Sequence, residues 1–238
     1  PVAAGEAVVV DAGPEPEAVD RCLRGLRVLS VPLLVITHFH ADHVGGLAGV
    51  ARGRRVGVVA LPGFDEPAAG ARLVLAGART AGVEVIHPAA GWRYVRGDLA
   101  LTVLGPTRPL AGTRSDPNNN SLIVRAVLAG SVSVLLAGDA ETEEQQELLA
   151  EVGGPALRSD VLKVAHHGSA YQHLAFLDAV RPAVALVSVG ADNDYGHPNA
   201  AVLARLSHGG AWVLRTDVDG DLAVARAATG LAVITHPP

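Results

Sequence analysis

Residues 32–43, PLLVITHFHADH, place metal-ligand side chains directly behind an apolar run. The segment PLLVI is typical of a buried strand. His38 and His40 alternate along the extended chain that follows, so both imidazoles can point the same way and bind one ion. The next turn can direct Asp42 and His43 toward a second ion. This density of ligand-type residues directly after a buried strand predicts a metal site rather than an ordinary polar loop.

Apolar segments that resemble strands alternate with helical patterns along the whole chain, which predicts an α/β fold. No internal repeat or linker interrupts the pattern, so residues 1–238 are expected to form a single domain. A hairpin is predicted around Ala129 and Gly130. Strands are predicted at 7–13, 32–36, 55–62, in three short segments within 83–104, and at 121–128, 131–139, 160–166, 183–190 and 211–217. Helices are predicted at 16–29, from about Gly45, at 67–82 and 140–152, and near 171–180 and 198–207.

Other polar residues also stand at or just beyond the ends of apolar segments. In layered α/β folds the strand ends line a crevice where ligands bind, so residues far apart in sequence are expected to meet there. Asp139 could then bridge two ions, which would share a water, lower its pKa and make a nucleophilic hydroxide near neutral pH. The residues in such positions are Asp11, Asp139, His166, His167 and His197.

Several of these motifs have a purely structural alternative. Asp139 in GDAETEE (138–144) could be only the N-cap of the following helix. HHGS (166–169) could be a turn at a strand end, and YGHP (195–198) a turn whose histidine caps the next helix. For DVDGD (217–221) a tight hairpin is favoured over a calcium loop, because the bidentate glutamate of such a loop is missing.

Two single residues also need an interpretation. Lys163, the only lysine, could hold a phosphate or work with a lowered pKa, but a lysine at a strand edge is favoured. Cys22 falls in the apolar spacing of a predicted helix and is expected to be a buried small side chain.

Composition excludes some function classes and leaves others open. The single cysteine rules out an internal disulfide framework and a cysteine-rich zinc site. The formal net charge of −5 gives no support for nucleic-acid binding at the level of composition. No apolar run approaches the roughly 20 residues of a membrane span. The chain begins at Pro1 and has no methionine, so we expect a domain cut from a longer or processed polypeptide.

THFHADH has the H-x-H-x-D-H form of the metallo-β-lactamase superfamily. Asp11, before it, and Asp139 and His197, after it, fall in the order expected of that family's remaining motifs. The segments NNNSLIVRAVLAG, LLAGDAE, DVLKVAHHGS, NDYGHPN and VLRTDVDGDLAV more closely resemble the C-terminal metallo-β-lactamase-like domain of the ComEC family, the DNA-uptake channel proteins of natural competence. The resemblance covers about residues 6–226. It implies an αββα sandwich with a dinuclear metal site.

The resemblance also implies roles for individual residues. His38 and His40 would hold one ion, and Asp42, His43 and His197 the other, with Asp139 as the bridge. Asp11 would orient a ligand histidine, and Lys163 would also lie just outside the ligands. The catalytic residues would be Asp42, His166 and His167; His166 would donate a proton to the leaving oxygen or complete the first ion's ligands. Substrate would contact Asn119, Asn120, Ser121 and Ser169.

One departure bears on the metal. The superfamily often has a histidine between its H-x-H-x-D-H motif and the bridging aspartate, where this chain has Asp116, Asn118, Asn119, Asn120 and Ser121. A set of ligands with more oxygen favours harder ions, so Mn²⁺ is expected as well as Zn²⁺.

The implied function is a metal-dependent deoxyribonuclease that degrades the DNA strand that does not enter the cell. Its partners would be DNA, expected in single-stranded form, and the membrane channel and other domains of the parent polypeptide, with no lipid contact of its own. It would lie on the extracytoplasmic face of the membrane. The alternatives are a metallo-hydrolase acting on a small substrate such as a lactone, thioester or other ester, and a non-catalytic DNA-docking module.

Overall fold

A computed structural model describes residues 2–128 and 132–236, and the chain divides into two compact units, 1–122 and 123–238. The single-domain assignment stays a prediction. The hairpin tip predicted around Ala129 and Gly130 lies outside the described residues. Among the described residues, no helix has the length and apolar character needed to cross a membrane.

The first unit is built on a parallel sheet in the order β1-β2-β3-β4, followed by the antiparallel pair β5 and β6. Its apolar core includes Val31, Ile36, Phe39 and Val59. The strands are β1 (Val9–Val10), β2 (Ser30–Val35), β3 (Arg55–Ala60), β4 (Glu84–Ile86), β5 (Arg93–Arg96) and β6 (Leu99–Gly105), and the helices are α1 (Pro16–Gly25), α2 (Ala41–Val44), α3 (Leu47–Ala51) and α4 (Ala68–Ala81).

In the second unit five strands pair in the order β11-β10-β9-β8-β7. The four strands β8 to β11 are parallel, and β7 is antiparallel to β8. Strands β12 and β13 form a separate antiparallel pair. Val161, Val184 and Leu214 form a core against which β12 and β13 pack. The strands are β7 (Ile123–Leu128), β8 (Val132–Leu136), β9 (Val161–Lys163), β10 (Val184–Val187), β11 (Trp212–Arg215), β12 (Asp221–Ala227) and β13 (Gly230–His236), and the helices are α5 (Thr142–Leu157), α6 (Leu174–Val180), α7 (Ala200–His208) and α8 (Thr216–Asp219).

Most predicted elements are present, and the helix predicted at 67–82 is confirmed almost to the residue. Its buried side chains, Ala71, Val74 and Ala78, recur at the spacing of one helical face. The helix predicted from about Gly45 is α3, which begins at Leu47. A separate helical turn that was not predicted, α2, precedes it and contains Asp42 and His43.

Two local predictions are wrong. DVDGD is not a hairpin, since β11 pairs with β10 and β12 with β13, and residues 216–219 form the helical turn α8. In that turn Asp219 accepts a hydrogen bond from the Arg215 N–H, 2.8 Å away. Cys22 is exposed, because helix α1 turns Asp20 and Leu23 inward instead. Asp20 is buried since Arg54 pairs with it at 2.9 Å.

Candidate metal site

The first cluster of ligand-type side chains begins directly after β2. His38 and His40 follow the strand in extended chain, and their facing nitrogens, Nε2 and Nδ1, lie 2.9 Å apart. In helix α2, His43 Nε2 lies 3.7 Å from Asp42 Oδ2, and the rings of His38 and His43 are 4.0 Å apart. The motif therefore gathers three imidazoles and a carboxylate, as its spacing predicts.

Asp11 is the hub of this cluster. Asp11 directly follows β1, and the pairing of β1 with β2 brings Asp11 beside Thr37. The backbone of Asp11 is left-handed, with a φ of 59°. The carboxylate accepts hydrogen bonds from the Thr37 N–H, the Thr37 hydroxyl and His43 Nδ1, each at 2.8 Å. Burial opposes the charge on Asp11, but His43 and these hydrogen bonds outweigh it and lower the pKa of the carboxyl.

These bonds decide which nitrogen of each histidine carries the proton. Because Asp11 accepts from Nδ1 of His43, the neutral ring has its lone pair on Nε2, on the side of Asp42. The Thr37 hydroxyl gives its proton to Asp11, so it accepts from Nδ1 of His38 at 3.2 Å. The lone pair of His38 is then on Nε2, which faces His40.

A close backbone approach holds the Asp11 loop against the helical turn of His43. The Ala12 N–H donates to the His43 carbonyl and the Gly46 N–H to the Gly13 carbonyl, both at 2.8 Å. A Cβ on Gly46 would lie 2.0 Å from the Ala12 carbonyl oxygen, which no side chain allows. Glycine at this position is therefore part of how the cluster is placed.

The second cluster is assembled in the second unit from loops after β8 and β9. Asp139 follows β8, while His166 and His167 follow β9 with left-handed φ values of 44° and 52°. The His166 N–H donates to the Gly138 carbonyl at 3.1 Å, which joins the two loops. Asp139 Oδ2 then lies 3.5 Å from His167 Nε2 and 3.9 Å from His166 Nε2.

His167 is oriented by the main chain of a third strand. Its Nδ1 donates to the Ser188 carbonyl at 2.6 Å, just beyond β10. The lone pair of the neutral ring is therefore on Nε2 and directed toward the Asp139 carboxylate. Two electron-pair donors at this distance repel each other unless a cation or a proton lies between them.

Glu141 is a site residue that the sequence analysis missed. Its side chain is fully buried, and its Oε1 lies 3.0 Å from His166 Nδ1. Its position two residues after Asp139 was the available signal. Glu141 also occupies the N-cap position of α5, so the alternative role of Asp139 as the N-cap is wrong.

A pair of buried glutamines, also missed, ties the two loops together. Gln145 Nε2 donates to the Ala140 carbonyl at 2.7 Å and to Gln172 Oε1 at 2.8 Å. Gln172 Nε2 in turn donates to the Ala165 carbonyl at 3.1 Å. Amide side chains thus fix the segments that carry Asp139 and His166.

His197 reaches the same cluster from the loop before α7, with its ring 5.2 Å from that of His166. The loops pack closely, since a Cβ on Gly168 would lie 2.8 Å from Pro198 Cβ, and the Asn199 N–H donates to the Gly168 carbonyl at 2.8 Å. The alternative that His197 caps α7 is wrong, because the Asn199 side chain accepts the cap bonds.

The other predicted residues lie in less direct positions. Asn120 is bound to the backbone of its own loop through Leu110 and Asp116, and Asn119 donates to the Thr113 hydroxyl. Ser121 and Ser169 are fully buried. Lys163 donates to the Val164 carbonyl at 3.2 Å, as a lysine near a strand end can. Substrate binding by these residues, and a supporting role of Lys163, stay predictions.

The donor chemistry fits a divalent ion. Ligands about 2.0–2.2 Å from a tetrahedral ion stand roughly 3.4 Å from each other. The pair of Asp42 and His43, at 3.7 Å, and the pair of Asp139 and His167, at 3.5 Å, are close to that separation. Each unit therefore contains a pair of candidate metal ligands.

Two curated relatives are similar over most of this chain. "ComE operon protein 3" of Bacillus subtilis is 34% identical over 202 residues, which is 84% of this chain and 25% of the relative. "Competence protein ComA" of Neisseria gonorrhoeae is 34% identical over 191 residues, which is 79% of this chain and 24% of the relative. The chain thus spans about a quarter of the length of these proteins, and it resembles one part of them.

Solved structures share the fold at low identity. Zn²⁺-bound PqqB from Methylobacterium extorquens matches with a TM-score of 0.58 and 13% identity over 90% of this chain and 83% of its own. The diiron β-hydroxylase CmlA from Streptomyces venezuelae matches with a TM-score of 0.53 and 18% identity over 78% of this chain and 44% of its own. The predicted α/β metallo-β-lactamase fold is thereby confirmed.

The family model of the metallo-beta-lactamase superfamily matches residues 2–190, a span that takes in the first cluster of ligands and most of the second. The chain therefore belongs to the metallo-β-lactamase superfamily.

Proposed function

We propose that this chain is a metal-dependent phosphodiesterase that degrades a strand of DNA during its uptake. The observation that carries the proposal is the orientation of His43 and His167, each with the lone pair of Nε2 directed toward a carboxylate. Membership of the superfamily supports a metallo-hydrolase. The similarity to two competence proteins supports DNA as the substrate.

In this proposal both clusters contribute ligands to a site for two ions, Mn²⁺ or Zn²⁺. Such ions lower the pKa of water and neutralise charge at a phosphodiester. The ligands are His38, His40, Asp42, His43, Asp139 and His197, and we add His167 because its Nε2 is directed toward Asp139.

His166 supplies the proton to the leaving oxygen. In this role its Nε2 faces the substrate, while its Nδ1 lies 3.0 Å from Glu141 Oε1 in a contact that is not aligned as a hydrogen bond. A proton donor within hydrogen-bond reach of the leaving group contributes typically about 10²–10⁴ in rate. If His166 instead binds an ion, its replacement will lower metal affinity rather than turnover alone.

The test is a nuclease assay on the purified chain, freed of metal and reconstituted with Mn²⁺ or Zn²⁺. We expect cleavage of single-stranded DNA that Asp42→Ala or Asp139→Ala abolishes, while Asp98→Ala, an exposed carboxylate elsewhere, keeps full activity. Intact DNA with every divalent ion would contradict the proposal.

The net charge of −5 favours a second candidate, because a polyanion is repelled by an acidic protein. This candidate keeps the metal site but hydrolyses a small lactone, thioester or other ester. It is supported if wild type leaves DNA intact yet opens such substrates with the same metal dependence. Tight metal binding with no turnover of either class would leave a non-catalytic DNA-docking module.

The setting of this activity is also a proposal. The chain matches about a quarter of each competence relative, so we propose that it acts as one domain of a longer membrane protein. It would then lie on the extracytoplasmic face, receiving DNA from a channel formed by other domains. Protease protection of the full-length protein in intact cells and in spheroplasts would test that location.

A further inference from the structure

A polar recess in the second unit lies away from the candidate ligands. Three of its lining residues mark its place in the sheet. Ser133 lies near the start of β8, Asp160 immediately precedes β9, and Ala183 immediately precedes β10. These are the amino ends of parallel strands, whereas Asp139 and His166 follow the carboxyl ends of β8 and β9. The recess therefore lies at the amino ends of these strands, and the second cluster lies at their carboxyl ends.

The charge of the recess is strongly positive for an acidic chain. Three arginines, Arg125, Arg158 and Arg181, line it against the single carboxylate of Asp160. Within residues 2–128 and 132–236, neither Arg158 nor Arg181 forms an ion pair, and both are exposed. Guanidinium groups without carboxylate partners attract an anion from solution.

The floor of the recess is fixed by a network of hydrogen bonds. Asp160 Oδ2 accepts from the Ser133 N–H at 2.7 Å and from the Ser133 hydroxyl at 2.6 Å. These bonds, first the one from the Ser133 hydroxyl, lower the pKa of Asp160, so the carboxylate is occupied locally. The charge of Asp160 also acts on Arg125, whereas Arg158 and Arg181 form no ion pair with it.

Arg125 is oriented by the same floor. Its Nε donates to the Arg158 carbonyl at 3.2 Å and to the Ser159 hydroxyl at 3.3 Å. The terminal nitrogens of the guanidinium are the donors that remain for a ligand. The volume of the recess, about 450 Å³, exceeds many times the roughly 30 Å³ of one water, so an anion can enter with part of its hydration shell.

We propose that this recess binds a phosphate group, held by Arg125, Arg158 and Arg181. Guanidinium forks match the oxygens of a phosphate in pairs, which is why arginine, rather than a flexible point charge, suits such a site. The phosphate could belong to a nucleic-acid backbone or be a free phosphate ion. The site does not depend on the chain being a nuclease.

The test compares the wild type with an Arg158→Gln/Arg181→Gln double variant, with EDTA present throughout so that metal-bound DNA and cleavage play no part. Fluorescence anisotropy measures binding of a short labelled single-stranded oligonucleotide, and calorimetry measures binding of inorganic phosphate. We expect the double variant to bind at least one of these ligands about 10-fold more weakly at low salt. For DNA the slope of log affinity against log salt should fall by about 1.

The matched control is Arg72→Gln/Arg79→Gln, which removes the same charge from exposed positions on α4 in the first unit. Loss of affinity for both ligands, or for DNA alone, assigns the recess to a nucleic-acid backbone. Loss for inorganic phosphate alone assigns it to a free anion. Equal affinities of the recess variant and the control variant for both ligands would overturn the proposal. All four substituted arginines are exposed, and circular dichroism checks that each double variant is folded.

Discussion

The two clusters of candidate ligands are built in different ways. In the first unit His38, His40, Asp42 and His43 come from one short run, and Asp11 is the only distant member. In the second unit Asp139, His166, His167 and His197 come from separate loops that packing brings together. The first cluster is local in sequence, whereas the second depends on strand order and loop packing.

The clusters also fix their histidines with different partners. His43 donates Nδ1 to the Asp11 carboxylate, whereas His167 donates Nδ1 to the Ser188 main-chain carbonyl. A side-chain partner can be removed by one substitution, but a main-chain partner can be displaced only by disturbing the packing around it. One substitution should therefore be enough to disturb the orientation of His43 in the first cluster. In the second cluster the orientation of His167 should be lost only when the residues that support its loops are changed.

The largest expected effect is on the second cluster, through Gln145→Leu. The leucine cannot make the bonds to Ala140, Gln172 and His173, so buried polar groups lose their partners. At about 1–3 kcal/mol for each such group, the free energy of unfolding should fall by about 3 kcal/mol. Urea denaturation measures this, and Gln146→Leu, an exposed neighbour on the same helix, should change it by less than about 0.5 kcal/mol. Equal effects of the two substitutions would mean that the glutamine network does not hold the loops.

The next effect is on the first cluster, through Asp11→Asn. Asparagine tolerates the left-handed backbone of this residue, so the substitution changes the hydrogen bonds rather than the turn. An amide nitrogen accepts no hydrogen bond, so the single amide oxygen cannot replace both Oδ1, which accepts from the Thr37 N–H, and Oδ2, which accepts from His43 and the Thr37 hydroxyl. The support of His43 is thereby weakened. We expect metal affinity to fall about 10- to 100-fold, measured by calorimetry with Zn²⁺ or Mn²⁺. Asp98→Asn is the control, and an unchanged affinity in Asp11→Asn would show that His43 needs no such support.

The smallest expected effect comes from substitutions of Glu141, which test whether His166 acts in catalysis or as a metal ligand. Glu141→Gln keeps an oxygen beside His166 Nδ1, whereas Glu141→Leu removes it. We expect kcat for the substrate that the chain hydrolyses to fall about 10-fold in the leucine variant and much less in the glutamine variant, with metal content unchanged. Metal analysis and steady-state kinetics on the same samples check this. A parallel loss of metal in Glu141→Leu would indicate that His166 is itself a ligand.

Periodicity was a good guide where one element decides its own structure. The helix predicted at 67–82 is found at Ala68–Ala81, because its apolar residues repeat on one face. The same logic failed for Cys22, because Arg54, from a distant loop, pairs with Asp20 and decides which face of α1 is buried. It failed for DVDGD because strand pairing, not local turn chemistry, decides where β11 and β12 go.

The sequence by itself determined the superfamily, the α/β alternation and the first cluster, because THFHADH carries its candidate ligands in one short run of the chain. Only the tertiary structure placed Glu141 against His166, directed Nε2 of His167 toward Asp139 and collected the arginines at the far edge of the second sheet. The physical reason is that these contacts join residues from different strands and loops. Their distances depend on pairing and packing, which leave no periodic signal in the sequence.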